Sequence, residues 1–307
     1  MATLIRLLLA VLIPTMFVAG CESETPTPPG PQYGDQPAEP LKPLYRLAVH
    51  PLHNPNKLAE AYQPLIGYLN RQISDAHFEL EASRDYQVYE AKFRTRDPEI
   101  LLANPWQTLE ALKVGYQVIA MAGDAEDFKG LFIVRKDSGI NTPADLKGKV
   151  VSYPSQTALA ACIMPQYFLH KHGIDVNRDI QNRYVGSQES SIMNAYLGEA
   201  AAGATWPPPW RLFQKDHPQE AAELTIAWET PGLINNSVMV RNDVPAAIRD
   251  KLKVLILALD NRPEGKLILT GMETARFHSA DDASYDVVRD YIADFEKVVR
   301  PVEQKMN

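Results

Sequence analysis

The chain has 307 residues, 45% hydrophobic and 22% charged, with 31 Lys+Arg against 38 Asp+Glu for a formal charge of −7. This balance argues against a nucleic-acid binder and against broad electrostatic docking on anionic lipid. It leaves room for a local anion site, which depends on nearby amides and dipoles rather than on net charge.

Residues 1–20 carry one basic residue, Arg6, then an apolar run from Leu7 to Val18, and Val18-Ala19-Gly20 directly before Cys21. That order is an export signal with a lipoprotein cleavage box, and the run is too short and too one-sidedly flanked for a permanent membrane span. The mature chain is expected to start at a lipidated Cys21. Residues 21–43 are rich in Pro, Thr, Glu and Gly, a composition that cannot bury a core and reads as an extended tether. With Cys21 acylated, only Cys162 of the two cysteines remains, so no intramolecular disulfide is expected.

From residue 44 the chain alternates strand and helix. Strands are expected at 45–49, 77–82, 100–103, 118–122 and 131–134, and helices at 57–72, 86–94 and 106–114, the last opened by Asn104-Pro105. The rhythm restarts after Ser138: a one-turn helix at 142–146, a strand at 149–153, and a tight loop, Pro154-Ser155-Gln156-Thr157, opening a helix to about 172. A strand at 183–185, a helix at 190–198, a strand at 201–205 and another at 237–241 follow. The fold class is therefore α/β, with mixed, mostly parallel sheets flanked by helices. The strands 131–135 and 237–241, both ending in arginine, are candidates for crossings between two lobes.

Tyr62-Gln63-Pro64-Leu65 with Tyr68-Leu69, Ala103-Asn104-Pro105-Trp106 with Gly115-Tyr116, Ser155 with Thr157, and Gly186-Ser187-Gln188-Glu189 leading to Gly203-Ala204 carry a resemblance. In that order, with Gly271, Phe277, Tyr285 and Val288-Arg289 near the end, the chain resembles the phosphate/phosphonate substrate-binding proteins of ABC importers, across nearly all of residues 44–300. The resemblance implies a two-lobed periplasmic clamp with two crossing strands, lobe 1 from 44–137 and 229–307 and lobe 2 from 138–228. It also implies a monomer that closes on a small ligand and presents it to an ABC permease. A sensor role, with the closed clamp docking on a membrane kinase, uses the same cleft and stays open. So does a lipid or other apolar ligand carried for transfer.

The residues themselves point to an anion. Pro154-Ser155-Gln156-Thr157-Ala158 sets hydroxyls and free amides at a helix start, where unpaired N–H groups and the helix dipole favour negative charge; the plain alternative is a helix cap at Ser155 or Thr157. The resemblance assigns Ser155 and Thr157 to the phosphonate or phosphate head. Asn104 and Trp106 would face them from the other lobe, Trp106 as a cleft aromatic or as core. His53 and Asn54 follow the first strand, where open α/β sheets place ligands. By the resemblance Glu189 matches an acid that pairs with a ligand amine, or else it is a solvated first-turn carboxylate. The second acid expected after Ala204-Thr205 is replaced by Trp206-Pro207-Pro208-Pro209-Trp210, so Trp206 and Trp210 either cover an apolar ligand or pack a structural corner or a partner surface. His50/His53 and His170/His172 lack accompanying cysteines or carboxylates and read as non-metal histidines. With no glycine-rich nucleotide loop and no Gly-x-Ser-x-Gly elbow, neither cofactor nor catalysis is expected.

Overall fold

The computed structural model describes residues 42–303. The leader at 1–20, the expected lipidation site Cys21 and the tether as far as residue 41 lie outside the described residues. The chain runs β1 (Leu44–Val49), α1 (Pro55–Gln72), β2 (His77–Glu81), α2 (Tyr86–Arg94), β3 (Ile100–Ala103), α3 (Pro105–Lys113) and β4 (Tyr116–Ala122). It passes to a second sheet through β5 (Leu131–Arg135), β6 (Val150–Tyr153), α4 (Met164–Lys171), β7 (Gln181–Tyr184), α5 (Gln188–Tyr196), β8 (Ala202–Thr205), α6 (Pro207–Asp216), α7 (Pro218–Ala222) and β9 (Leu224–Glu229). It then returns with β10 (Ser237–Arg241), α8 (Ala246–Leu257), α9 (Pro263–Gly271), β11 (Phe277–Ser279) and α10 (Asp286–Val298).

The strand orders are β11-β4-β10-β3-β1-β2 and β7-β6-β8-β5-β9. Both sheets are mixed, as expected, with four parallel and five antiparallel strand pairs among the described residues. The parallel pairs are β1 with β2 and β3, and β6 with β7 and β8, each bridged by a helix as parallel pairing requires. Every antiparallel pair contains a strand next to a passage between the sheets, β4, β5, β9 or β10, and of these β5 and β10 arrive directly from the other sheet without an α-helix. Leu131–Arg135 pairs with β8 and β9, so it belongs to the second sheet, whereas the sequence places it at the end of lobe 1. The passages themselves are the segments 123–130 and 230–236.

Local chemistry explains the elements around the cleft. Helix α1 is capped by Asn54, whose side chain accepts from Lys57 N–H, and it buries Leu58, Tyr62, Leu65, Ile66 and Leu69 on one face. A fully buried Leu or Ile contributes about 1.5–3 kcal/mol. The run Pro207-Pro208-Pro209 is the first turn of α6, because first-turn amides have no helical acceptor and proline forgoes nothing there. Trp210 then packs with Leu131, Ile133, Ile192, Phe213 and Leu224 in a small core of its own.

Helix α5 lies so close to β8 that a Cβ on Gly203 would fall 2.1 Å from the Ser191 carbonyl oxygen. Ser191 Oγ in turn donates to the Ser152 and Ala204 carbonyls at 2.9 and 2.8 Å, stitching helix to sheet. Gly203→Ala is therefore expected to cost about 1–3 kcal/mol and lower Tm by several degrees in thermal denaturation. Gly232→Ala, whose Cβ would meet nothing nearer than 3.5 Å, should leave Tm unchanged.

Candidate functional site

Four loops that carry candidate residues leave the C-terminal ends of parallel strands: His50–Asn54 after β1, Asn104 after β3, Pro154–Ala158 after β6 and Trp206 after β8. Open sheets bind ligands at this edge. The two sheets turn these edges toward one another, and hydrogen bonds bridge them. Asn104 Nδ2 donates to the Thr157 carbonyl at 3.2 Å, Thr157 Oγ1 donates to Glu90 Oε1 at 2.6 Å, and Gln188 Nε2 donates to the Tyr86 hydroxyl at 3.1 Å. Nearer the rim, Asn54 donates to Glu189 at 3.2 Å, Lys57 pairs with Asp216 at 3.2 Å, and Arg211 and Lys215 of α6 both pair with Glu273.

Between the sheets these contacts leave three narrow, adjoining spaces. The first is lined in part by Asp127 and Glu273, the carboxylates held by Arg211. The second holds His53, Lys57, Glu189, Asp216 and His217. The third is walled by His50, Tyr86, Asn104, Phe128, Gln188, Trp206 and Asn236 and floored by Ala158–Ala161. No carboxylate lines it among the described residues.

Its floor is a helix start. After β6 the chain turns at Ser155–Thr157 and enters a π-helical turn, Leu159–Ile163, that runs on into α4. Ile163 N–H is bonded back to the Ala158 carbonyl at 3.1 Å, which leaves the amides of the preceding turn outside the helical ladder. Such amides and the helix dipole attract an anion, and π-turns concentrate at functional sites. Arg300, reaching back from beyond α10, donates to the Gln156 carbonyl at 2.9 Å and to Gln166 Oε1 at 2.8 Å, so a guanidinium braces this turn from behind.

The walls present unmet polar groups. His50 is 2% exposed and neither ring nitrogen has a hydrogen-bond partner among the described residues. Burial, with His53 nearby, pushes its pKa down to about 3, so the ring is neutral. Burial likewise brings His53 down to about 4. Asn236 is 3% exposed and its Oδ1 is also unpartnered among the described residues. Burial raises the Tyr86 phenol well above its ordinary range, so it keeps its proton while accepting from Gln188. Phe128 and Trp206 close one side with ring centroids 5.5 Å apart.

Of the residues expected from sequence, Asn104, Ala158 and Trp206 meet at this space. Ser155, Gln156 and Thr157 do not line it: the Ser155 and Thr157 hydroxyls lie 3.0 Å apart, and Thr157 is committed to Glu90. His53 and Glu189 line the neighbouring space, where Glu189 is engaged by Asn54 and His217. Trp106 is buried in the main core and Trp210 in the smaller one. Sequence reasoning missed His50, Tyr86, Phe128, Gln188 and Asn236 as site residues. A signal was present for His50, which directly follows β1, and for Gln188 in the first turn of α5; Phe128 and Asn236 sit in the passages between sheets, where no periodicity operates.

A profile described as "ABC transporter, phosphonate, periplasmic substrate-binding protein" matches residues 47–285. The chain belongs to this family of periplasmic phosphonate-binding proteins. Among relatives of these phosphonate-binding proteins, the probable ABC transporter phosphite binding protein PhnD1 of Prochlorococcus marinus (strain MIT 9301) is 24% identical over 208 residues, 63% of this chain and 70% of the relative. The fold matches that of a binding protein component of an ABC phosphonate transporter from Pseudomonas aeruginosa, with TM-score 0.78 and 16% identity over 84% of this chain and 88% of the other. It also matches PhnD1 in complex with methylphosphonate, with TM-score 0.76 and 22% identity over 84% of this chain and all of that one. This is the α/β two-sheet architecture of periplasmic binding proteins, as the sequence resemblance implies.

Glu90 joins the two halves and titrates in an accessible range. Burial raises its pKa to about 7, opposed by the hydrogen bonds from Thr157 and Gln107. Because the folded state holds this proton more tightly than the unfolded chain, the contribution of Glu90 is fully present below about pH 4.5 and is lost as pH rises through about 7. Wild-type protein should therefore lose on the order of 2–3 kcal/mol more stability than Glu90→Gln across that window, measured by denaturant unfolding at each pH.

Proposed function

We propose that the protein captures a small phosphorus oxyanion, phosphite or a short alkylphosphonate, between its halves at the helix start and delivers it to an ABC permease. The observation that carries this reading is the helix-start floor facing buried, unpartnered groups of His50 and Asn236. Buried polar atoms without partners are costly, and a ligand rich in oxygens satisfies them while the free amides meet its charge. Ser155, Gln156 and Thr157 shape the turn and tie it to Glu90 and Arg300, so their part is to position the floor.

That no carboxylate lines this space among the described residues supports a ligand without an amine. An aminoalkyl phosphonate brings an ammonium that needs an acid, and Glu189 lies next door with its oxygens engaged by Asn54 and His217. The Phe128–Trp206 wall suits a hydrogen or a short alkyl substituent on phosphorus. Binding energy then goes into closing the halves, 44–130 with 230–303 against 131–229, with no bond made or broken. In titration calorimetry the expected order is phosphite or methylphosphonate at micromolar dissociation constants or tighter, about −8 kcal/mol, with 2-aminoethylphosphonate far weaker. Tighter binding of the amine, or no heat with any of the three, overturns the reading.

The site works outside the cytoplasm, in keeping with the periplasmic family. No described helix is long and apolar enough to cross a membrane. The leader and Cys21 support attachment through an acylated cysteine, with 22–43 as the spacer. Cys21→Ser should move the protein from the membrane fraction to the soluble periplasmic fraction, and intact-mass analysis of the wild type should show a diacylglyceryl adduct; an unmodified N-terminus would refute the anchor.

A further inference from the structure

The polar groups left unmet around the anion space include acceptors. A neutral imidazole has one N–H and one bare nitrogen whichever tautomer it adopts, so His50 always offers one acceptor. Asn236 adds its amide oxygen. Both side chains are more than nine-tenths buried, and neither group finds a donor among the described residues. The donors able to meet a ligand's negative oxygens are the first-turn amides, the Tyr86 hydroxyl and the single N–H of His50, which leaves the other His50 nitrogen and Asn236 Oδ1 as the unmet acceptors.

A fully ionised tetrahedral anion can only accept hydrogen bonds. Sulfate or a sulfonate placed here would leave the His50 and Asn236 acceptors unmet and turn its own lone pairs toward them. A phosphorus oxyanion that keeps one hydroxyl has a donor to give. On the anion-site reading above, we infer that His50 and Asn236 make the site specific for an oxyanion that still carries a proton, so that it takes hydrogen phosphite or a hydrogen alkylphosphonate and refuses sulfate and sulfonates. The lowered pKa of His50 agrees with this, because a charged imidazolium would offer two donors and no acceptor.

Methylphosphonate and methanesulfonate make the test clean. At mildly acid pH both are monoanions of one shape that differ by a single hydroxyl proton. Calorimetry on the protein should give methylphosphonate at least about a hundredfold tighter, in keeping with the rejection shown by sites whose buried polar groups lose a partner. Binding of the two within tenfold of each other overturns the protonation rule while leaving the anion site standing, whereas binding of neither overturns both. Asn236→Leu and, separately, His50→Phe each remove an acceptor and should narrow the ratio by about tenfold, with Tm recorded to show that each variant is folded. A ratio unchanged in both folded variants would show that the selectivity has another origin and sink the assignment.

Discussion

The helix start after β6 is the feature on which the rest of the cleft depends. A helix begins with amides that its own backbone cannot satisfy, and here they lie at the floor of the space between the sheets. The π-turn at Leu159–Ile163 keeps another amide out of the ladder than an α-turn would, since each bond reaches back five residues. Gly130 permits this arrangement: a Cβ there would fall 2.6 Å from the Ala160 carbonyl oxygen, so only a glycine lets the passage between sheets run against the helix.

Around that floor the protein arranges charge without placing a cation in the space. Arg300 holds the carbonyl of Gln156 and lies behind the turn, while the two carboxylates of an adjoining space, Asp127 and Glu273, are neutralised by Arg211. Glu90 sits where the halves meet, accepting from Thr157 on one side and Gln107 on the other. Anion attraction thus rests on dipoles and amides, and the net negative charge of the chain is no obstacle to it. The closing contacts at the rim are ion pairs on partly exposed side chains, individually weak, which suits a clamp that must reopen.

Several elements were readable from local pattern. The α1, α2 and α3 helices, the strands β1, β3 and β6, and the helix start after Tyr153 follow from apolar spacing, from Asn and Asp caps and from Pro at first-turn positions. The order of the strands was not readable, because alternation of strand and helix reports crossovers and is silent about where strands such as β5 and β10, which arrive directly from the other sheet, insert. The WPPPW segment stayed open for a related reason: three prolines suit a rigid corner and a helical first turn equally, and only the fold puts Trp210 in a core with Ile133 and Phe213 and Trp206 at the space between the sheets.

By itself the sequence determined an acidic α/β protein with a polar helix start after β6, and it raised the expectation of an export leader, an acylated cysteine and a tether, since each is written in neighbouring residues whose spacing or charge acts locally. The tertiary structure alone decided which side chains face that helix start. His50 and Asn236 lie far apart in the chain, and Ser155 and Thr157, the obvious hydroxyls, are drawn off to each other and to Glu90. A polar atom becomes a ligand contact by being buried and left without a protein partner, and both conditions exist only once distant segments have packed.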